Sequence, residues 1–170
     1  QWMRSGKSFD FKIMWFALEE SEEEFWLSMI CLCMYIQSGG VIQLTPSNLL
    51  KQGARELSKE ELKAIKKAEQ SEFLKVINQK VSVFDNIFNP TGIKIEVERF
   101  ATQPHIGVLH HNADKMVSGY TRKSDSLFLF VVTDHISLLH PERSRLGENM
   151  TERQTLKFYS ETYCLNVFCK

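Results

Sequence analysis

The stretch from Ser21 to Gly40, SEEEFWLSMICLCMYIQSGG, decides the first half of the fold. Ser21 followed by three glutamates fits a capping box, in which the serine caps the helix and Glu24 reaches back to it. The residues after Glu24 are apolar on nearly every side, which is typical of a centrally buried helix. Ser38-Gly39-Gly40 is a helix-ending sequence. The stretch therefore predicts a buried helix over about 22–37.

The sequence after Gly40 predicts one short strand and further helices. A short strand is predicted at 41–44, and Thr45-Pro46 predicts a helix that runs to about residue 53. A second capping box at 58–61 predicts a long helix to about Lys80. Four lysines share one face of that helix, but glutamates are interleaved with them, so we expect a salt-bridged exposed face rather than a phosphate track. These lysines are Lys59, Lys63, Lys66 and Lys67.

The spacing of apolar residues changes in the second half of the chain. Ile93, Ile95 and Val97 alternate with charged residues, which predicts a half-buried strand. Leu127–Val132 is continuously apolar and suits a central strand, and His135–His140 is predicted as its return strand. The predicted strands are completed by an N-terminal strand or arm around 9–13 and by two segments at 156–159 and 163–168.

Helices followed by strands favour an α+β fold over a parallel α/β sheet. We expect the helices of the N-terminal half, at about 20–82, to pack on one face of a mainly antiparallel sheet formed by the C-terminal half, at about 91–170. A length of 170 residues fits a single domain spanning 1–170.

Charge and composition exclude several classes of protein. The chain carries 21 basic and 21 acidic side chains, and this zero net charge argues against a uniformly basic nucleic-acid or membrane binder. The longest apolar run, Phe25–Ile36, is too short to span a bilayer and follows acidic rather than basic residues. We therefore expect no transmembrane segment and an intracellular protein, cytoplasmic or nuclear.

The four cysteines show no CxxC pair and are interpreted as small buried side chains.

One cluster has the residue types of a metal site. His105, His110, His111 and Asp114 fall within ten residues, and imidazole and carboxylate groups are ligands of zinc, iron and manganese. The cluster would serve a metal-dependent hydrolase or nuclease. The alternative is a solvated turn between two strands, because His110 and His111 are adjacent and would face opposite ways in a strand.

A second candidate site is made of cations in predicted loops. If these loops meet at one end of the sheet, their side chains would form an anion site for a phosphate headgroup, an RNA backbone or an acidic peptide. The residues are Arg122, Lys123, Arg143, Arg145 and Arg153.

The sequence favours a non-enzymatic interaction domain over both alternatives. Neither an HExxH nor a GxSxG pattern is present, and the chain has no cofactor signature. We expect a protein partner or a second copy of the chain to dock on an apolar sheet face, or on an edge strand such as Tyr163–Phe168.

Overall fold

The structure is a computed structural model that describes residues 10–50, 55–114, 117–123, 126–140, 151, 153–155 and 157. The chain divides into two compact units. The helical unit comprises Glu20–Val83, and the sheet unit comprises Gln1–Glu19 together with Phe84–Lys170. The prediction of a single domain over 1–170 is not tested by this division and stays a prediction.

The helical unit is built on the predicted buried helix. This helix, α1, spans Glu22–Gln37 and begins with a complete capping box. Ser21 Oγ accepts a hydrogen bond from the Glu24 N–H at 3.2 Å, and Glu24 Oε2 accepts one from the Ser21 N–H at 2.9 Å. Both interactions satisfy N–H groups that a helix start leaves without a partner. The prediction of a capped helix over 22–37 is confirmed, but central burial is wrong, because Leu32, Tyr35 and Ile36 are exposed.

The following segment contains three shorter helices: α2 over Pro46–Leu49, α3 over Lys59–Glu69 and α4 over Glu72–Lys80. The predicted strand at 41–44 is absent, because residues 41–45 have no regular structure. The predicted long helix is divided into α3 and α4 at Ser71. The Ser71 side chain caps α4 by accepting from the Leu74 N–H, so this serine begins a new helix.

The core of the helical unit lies between α1 and the helices that follow it. Its buried members are Cys31, Cys33, Met34, Leu44, Ala68 and Leu74. Cys31 and Cys33 are free and buried, as interpreted from the sequence, and burial raises the pKa of the Cys31 thiol. Cys33 also links two helices, because its Sγ lies 3.2 Å from Ser71 Oγ.

Three strands that are far apart in the sequence form the main sheet, in the order β2–β1–β5. These strands are β1 over Asp10–Ala17, β2 over Val81–Phe84 and β5 over Leu127–Asp134. β1 and β5 are parallel, and Asp10 pairs with Leu127. The antiparallel strands β3 (Gly107–His111) and β4 (Val117–Arg122) form a separate two-stranded sheet.

The α+β class is correct in outline, but three expected details are wrong. The strands are parallel and antiparallel rather than mainly antiparallel, and the main sheet is not formed by the C-terminal half alone, because β1 and β2 belong to the first half. The N-terminal strand predicted around 9–13 is observed as β1. Helices are also not confined to the first half, because α5 spans Pro90–Ala101. Which strands pair, and in which direction, depends on contacts between distant residues that no local pattern encodes.

The predicted strand around Ile93, Ile95 and Val97 is the helix α5. Asn89 Oδ1 accepts from the Gly92 N–H at 2.6 Å, and Pro90 occupies the first helical position. Ile93 and Val97 are four residues apart and share the buried face of this helix, whereas Ile95 is 49 % exposed. The capping signal at Asn89-Pro90 therefore prevails over the apparent alternation.

The predicted return strand at 135–140 is also wrong. His135 adopts a left-handed conformation, with φ of 54°, and precedes a 3-10 helix at Ile136–Leu138. Its Nε2 lies 2.8 Å from Glu19 Oε2, and this contact helps to hold the turn. A non-glycine residue in this conformation interrupts a strand.

One side of the β1–β5 pair forms the core of the sheet unit. β1 contributes Met14 and Phe16, and α5 contributes Ile93 and Val97. The Phe16 ring stacks on that of Phe84, with ring centroids 4.9 Å apart. Leu18 and Leu139 complete the buried cluster.

The capping box should make part of the stability of α1 depend on pH. The Ser21 N–H bonded to the carboxylate, followed by the Ser21 hydroxyl, lowers the pKa of Glu24. Because the folded-state pKa lies below the unfolded-state value, this contribution is complete above the unfolded-state value and is lost as the pH falls through the folded-state pKa. Glu24→Gln should therefore flatten the decline of thermal stability in acid, measured by circular dichroism, while the amide preserves much of the cap.

Glu23→Gln is the matched control, since it removes the same charge from the same helical turn but not the capping hydrogen bond. Equal acid profiles for the two variants would contradict this role of Glu24. Ser21→Ala should destabilise the fold at neutral pH by about 1 kcal/mol.

Candidate functional site: an apolar face of the main sheet

The side of the β1–β5 pair opposite the core carries six large apolar side chains. Successive residues of a strand point to opposite faces, and residues paired in register lie on the same face. The pairs Phe11–Phe128, Ile13–Phe130 and Trp15–Val132 therefore share the face opposite Met14 and Phe16. We call these six residues the outer sheet face.

The two faces of the pair differ in their exposure to solvent. Met14 and Phe16 on the core side are 4 % and 0 % exposed, whereas Phe130 on the outer sheet face is 51 % exposed. The other five residues of the outer sheet face are half-buried. The rings of Phe11 and Phe130 meet edge to face, with centroids 6.4 Å apart.

Chemical composition distinguishes the outer sheet face from an ordinary solvated one. A sheet face in water alternates polar residues with the buried ones, as happens where a strand has one wet side. Here the pairs from Phe11–Phe128 to Trp15–Val132 present aromatic and β-branched residues, and the next pair on the face is Ala17–Asp134. Among the described residues, none of the six belongs to the buried core cluster or to the apolar residues packed against it, although the Trp15 indole nitrogen is buried. Such a surface is typical of an interaction site.

Sequence reasoning predicted an apolar sheet face but missed the residues that form it. In the segment 9–13 the polar residues Asp10 and Lys12 alternate with the apolar Phe11 and Ile13. In the structure they share a side with Met14 and Phe16, so the core side is the one that carries the charges at the start of β1. The signal that could have shown this is the apolar run from Ile13 to Leu18, in which both faces become apolar.

The predicted metal cluster lies on and around the β3–β4 hairpin. His110 and His111 are neighbours in β3, separated in register by an irregularity, and His110 Nε2 lies 2.7 Å from Thr121 Oγ1. His105 precedes the hairpin and Asp114 is in the turn that follows β3. Within the described ranges, no three or more His, Cys, Asp or Glu side chains are placed so that they could hold a metal ion. The structure therefore does not bring these four residues together as a ligand set.

The predicted anion site is described only in part. Arg122 ends β4, and the adjacent Lys123 donates from Nζ to the Pro104 carbonyl at 2.6 Å. Arg153 is exposed in a helical turn near the end of the described chain. Arg143 and Arg145 lie outside the described residues, so the gathering of all five cations stays a prediction. The predicted edge strand Tyr163–Phe168 also lies outside them.

Comparison with known proteins gives no assignment: no family model, curated protein or solved structure matches the chain. Among the helices that the structure describes, none is long and apolar enough to cross a membrane.

Proposed function

We propose that the chain is a non-enzymatic protein-binding domain whose partner docks on the outer sheet face. The observation that supports this proposal is the half-exposed Phe130 ring within a face of six apolar side chains. Aromatic side chains are favoured anchors at protein interfaces, because they bury a large area and lose little conformational entropy.

The same geometry indicates the chemistry of the partner. A sheet surface of rings and β-branched side chains is complementary to another apolar surface with aliphatic or aromatic anchors. A charged group lies at one end of the face, since Asp134 ends β5 and pairs with Ala17 on this side. The partner is therefore a protein with an apolar patch and a polar rim. We also propose an intracellular location, cytoplasmic or nuclear.

Replacing Phe130 with threonine tests this function, because threonine suits a strand but removes the ring. Immobilised protein should retain its partner from a cell extract, and Phe130→Thr should weaken that retention roughly 30-fold, the effect of losing a central aromatic anchor. Quantitative mass spectrometry of the retained proteins measures the ratio.

The matched control is Ile95→Gln on α5, because Ile95 and Phe130 are 49 % and 51 % exposed in the same unit. This control should retain the partner fully. Equal retention by both variants would contradict the proposal. Gel filtration with light scattering identifies the case in which the partner is a second copy: the native chain is then a dimer and Phe130→Thr a monomer.

A further inference from the structure

The lysines of α3 do not form the salt bridges that the interleaved glutamates of the sequence predict. Among the ion pairs of the described residues, the one on this helix joins Arg55 to Glu61. Lys59, Lys63, Lys66 and Lys67 are all exposed, and none of them forms an ion pair with a residue that the structure describes. We call these four residues the lysine row. The expected salt-bridged face is therefore wrong for these four side chains.

The lysine row concentrates four positive charges on one face of α3. Residues three and four apart are neighbours on a helix surface, so Lys63 lies beside Lys59, Lys66 and Lys67, and also beside the oppositely charged Glu60. Lys59 begins α3 and opposes the positive end of the helix dipole, whereas Lys66 and Lys67 in the last turn complement its negative end. A negatively charged ligand would offset the repulsion between the neighbouring lysines.

The residues around the lysine row indicate which anion fits. Leu62 is 47 % exposed and, by helix spacing, lies beside Lys59 and Lys66. An apolar side chain among lysines suits the interfacial region of a bilayer, where lysines contact the charged headgroups and apolar side chains reach the acyl boundary. Nucleic acids are a poorer match, because α3 contains no aromatic residue on which a base could stack and no arginine.

We propose that the lysine row is a docking surface for an anionic membrane, with the four ammonium groups among lipid phosphates and carboxylates and Leu62 at the headgroup boundary. The opposite side of α3 packs in the core of the helical unit through Ala64, Ile65 and Ala68. The helix therefore lies flat on the membrane surface. The zero net charge of the chain hides this row, because acidic residues elsewhere, such as Glu22, Glu23 and Glu24, balance it in the sum.

Sedimentation with lipid vesicles tests the proposal on the full chain. The protein should bind phosphatidylcholine vesicles that contain phosphatidylserine, should not bind pure phosphatidylcholine vesicles, and should be released by high salt. Lys63→Glu should weaken binding roughly tenfold or more, because reversing one charge removes one attraction and adds one repulsion.

Unfolding cannot explain that loss, because Lys63→Glu replaces three like-charge contacts with opposite-charge ones and creates one like-charge contact, with Glu60, so the melting temperature should not fall. Lys94→Glu on α5 makes the same change in net charge in the sheet unit and should leave binding unchanged. Equal loss in the two variants would overturn the proposal. So would equal binding to pure phosphatidylcholine vesicles, or binding to single-stranded RNA or polyglutamate but not to anionic vesicles.

Discussion

Replacing Phe16 with alanine should lower the free energy of unfolding by about 3–5 kcal/mol, the largest effect that we expect of any single substitution. Phe16 is 0 % exposed and stacks on Phe84 in the core of the sheet unit. Its removal would forfeit the burial of a whole ring and leave a cavity, which neighbouring Ile93 and Val97 could fill only by moving their helix. Chemical denaturation followed by circular dichroism measures the change.

The matched control is Phe130→Ala, which deletes the same ring from the opposite face of the same sheet. Because Phe130 is 51 % exposed, we expect a loss of about 1 kcal/mol or less. If the two substitutions cost the same, the distinction between a core side and an outer sheet face would be wrong.

Replacing Met34 with alanine should have the second largest effect, a loss of about 2–5 kcal/mol. Met34 is 1 % exposed on α1 and belongs to the core of the helical unit. Alanine has the highest helix propensity, so the loss would measure packing and not helix formation. Thermal and chemical denaturation both report it.

Leu32→Ala provides the comparison, since Leu32 is 42 % exposed on the same helix. We expect this change to cost less than about 1 kcal/mol. A larger cost for Leu32→Ala than for Met34→Ala would mean that α1 buries a different face from the one described.

Local sequence signals were sufficient to predict a helix or strand whose own residues determine its structure. The capping box at Ser21 and the apolar residues after it predicted α1 with its correct ends, and the apolar run from Leu127 predicted the strand β5. The expected central position of that strand is wrong, because β5 is an outer strand of the described sheet. The correct parts depend on short-range physics: a cap satisfies nearby N–H groups, and aromatic and β-branched residues favour a strand.

The sequence predicted the wrong secondary structure where two local patterns competed, and it did not predict strand pairing, which depends on contacts between distant residues. Alternation at Ile93, Ile95 and Val97 indicated a strand, but Asn89 and Pro90 start a helix whose i, i+4 pair is equally apolar. The parallel pairing of β1 with β5 joins segments that are far apart in the sequence, and this pairing creates the outer sheet face. The sequence therefore indicated the kind of candidate site but not its residues.

The central claim is that the outer sheet face binds a protein, and photo-crosslinking in cells tests it most directly. Placing the photoreactive phenylalanine analogue p-benzoylphenylalanine at position 130 preserves the ring and reports only what contacts it. We predict a discrete covalent adduct with a protein at position 130 and none when the same analogue replaces Ile95, whose exposure is similar. The same weak background of adducts at both positions would contradict the claim.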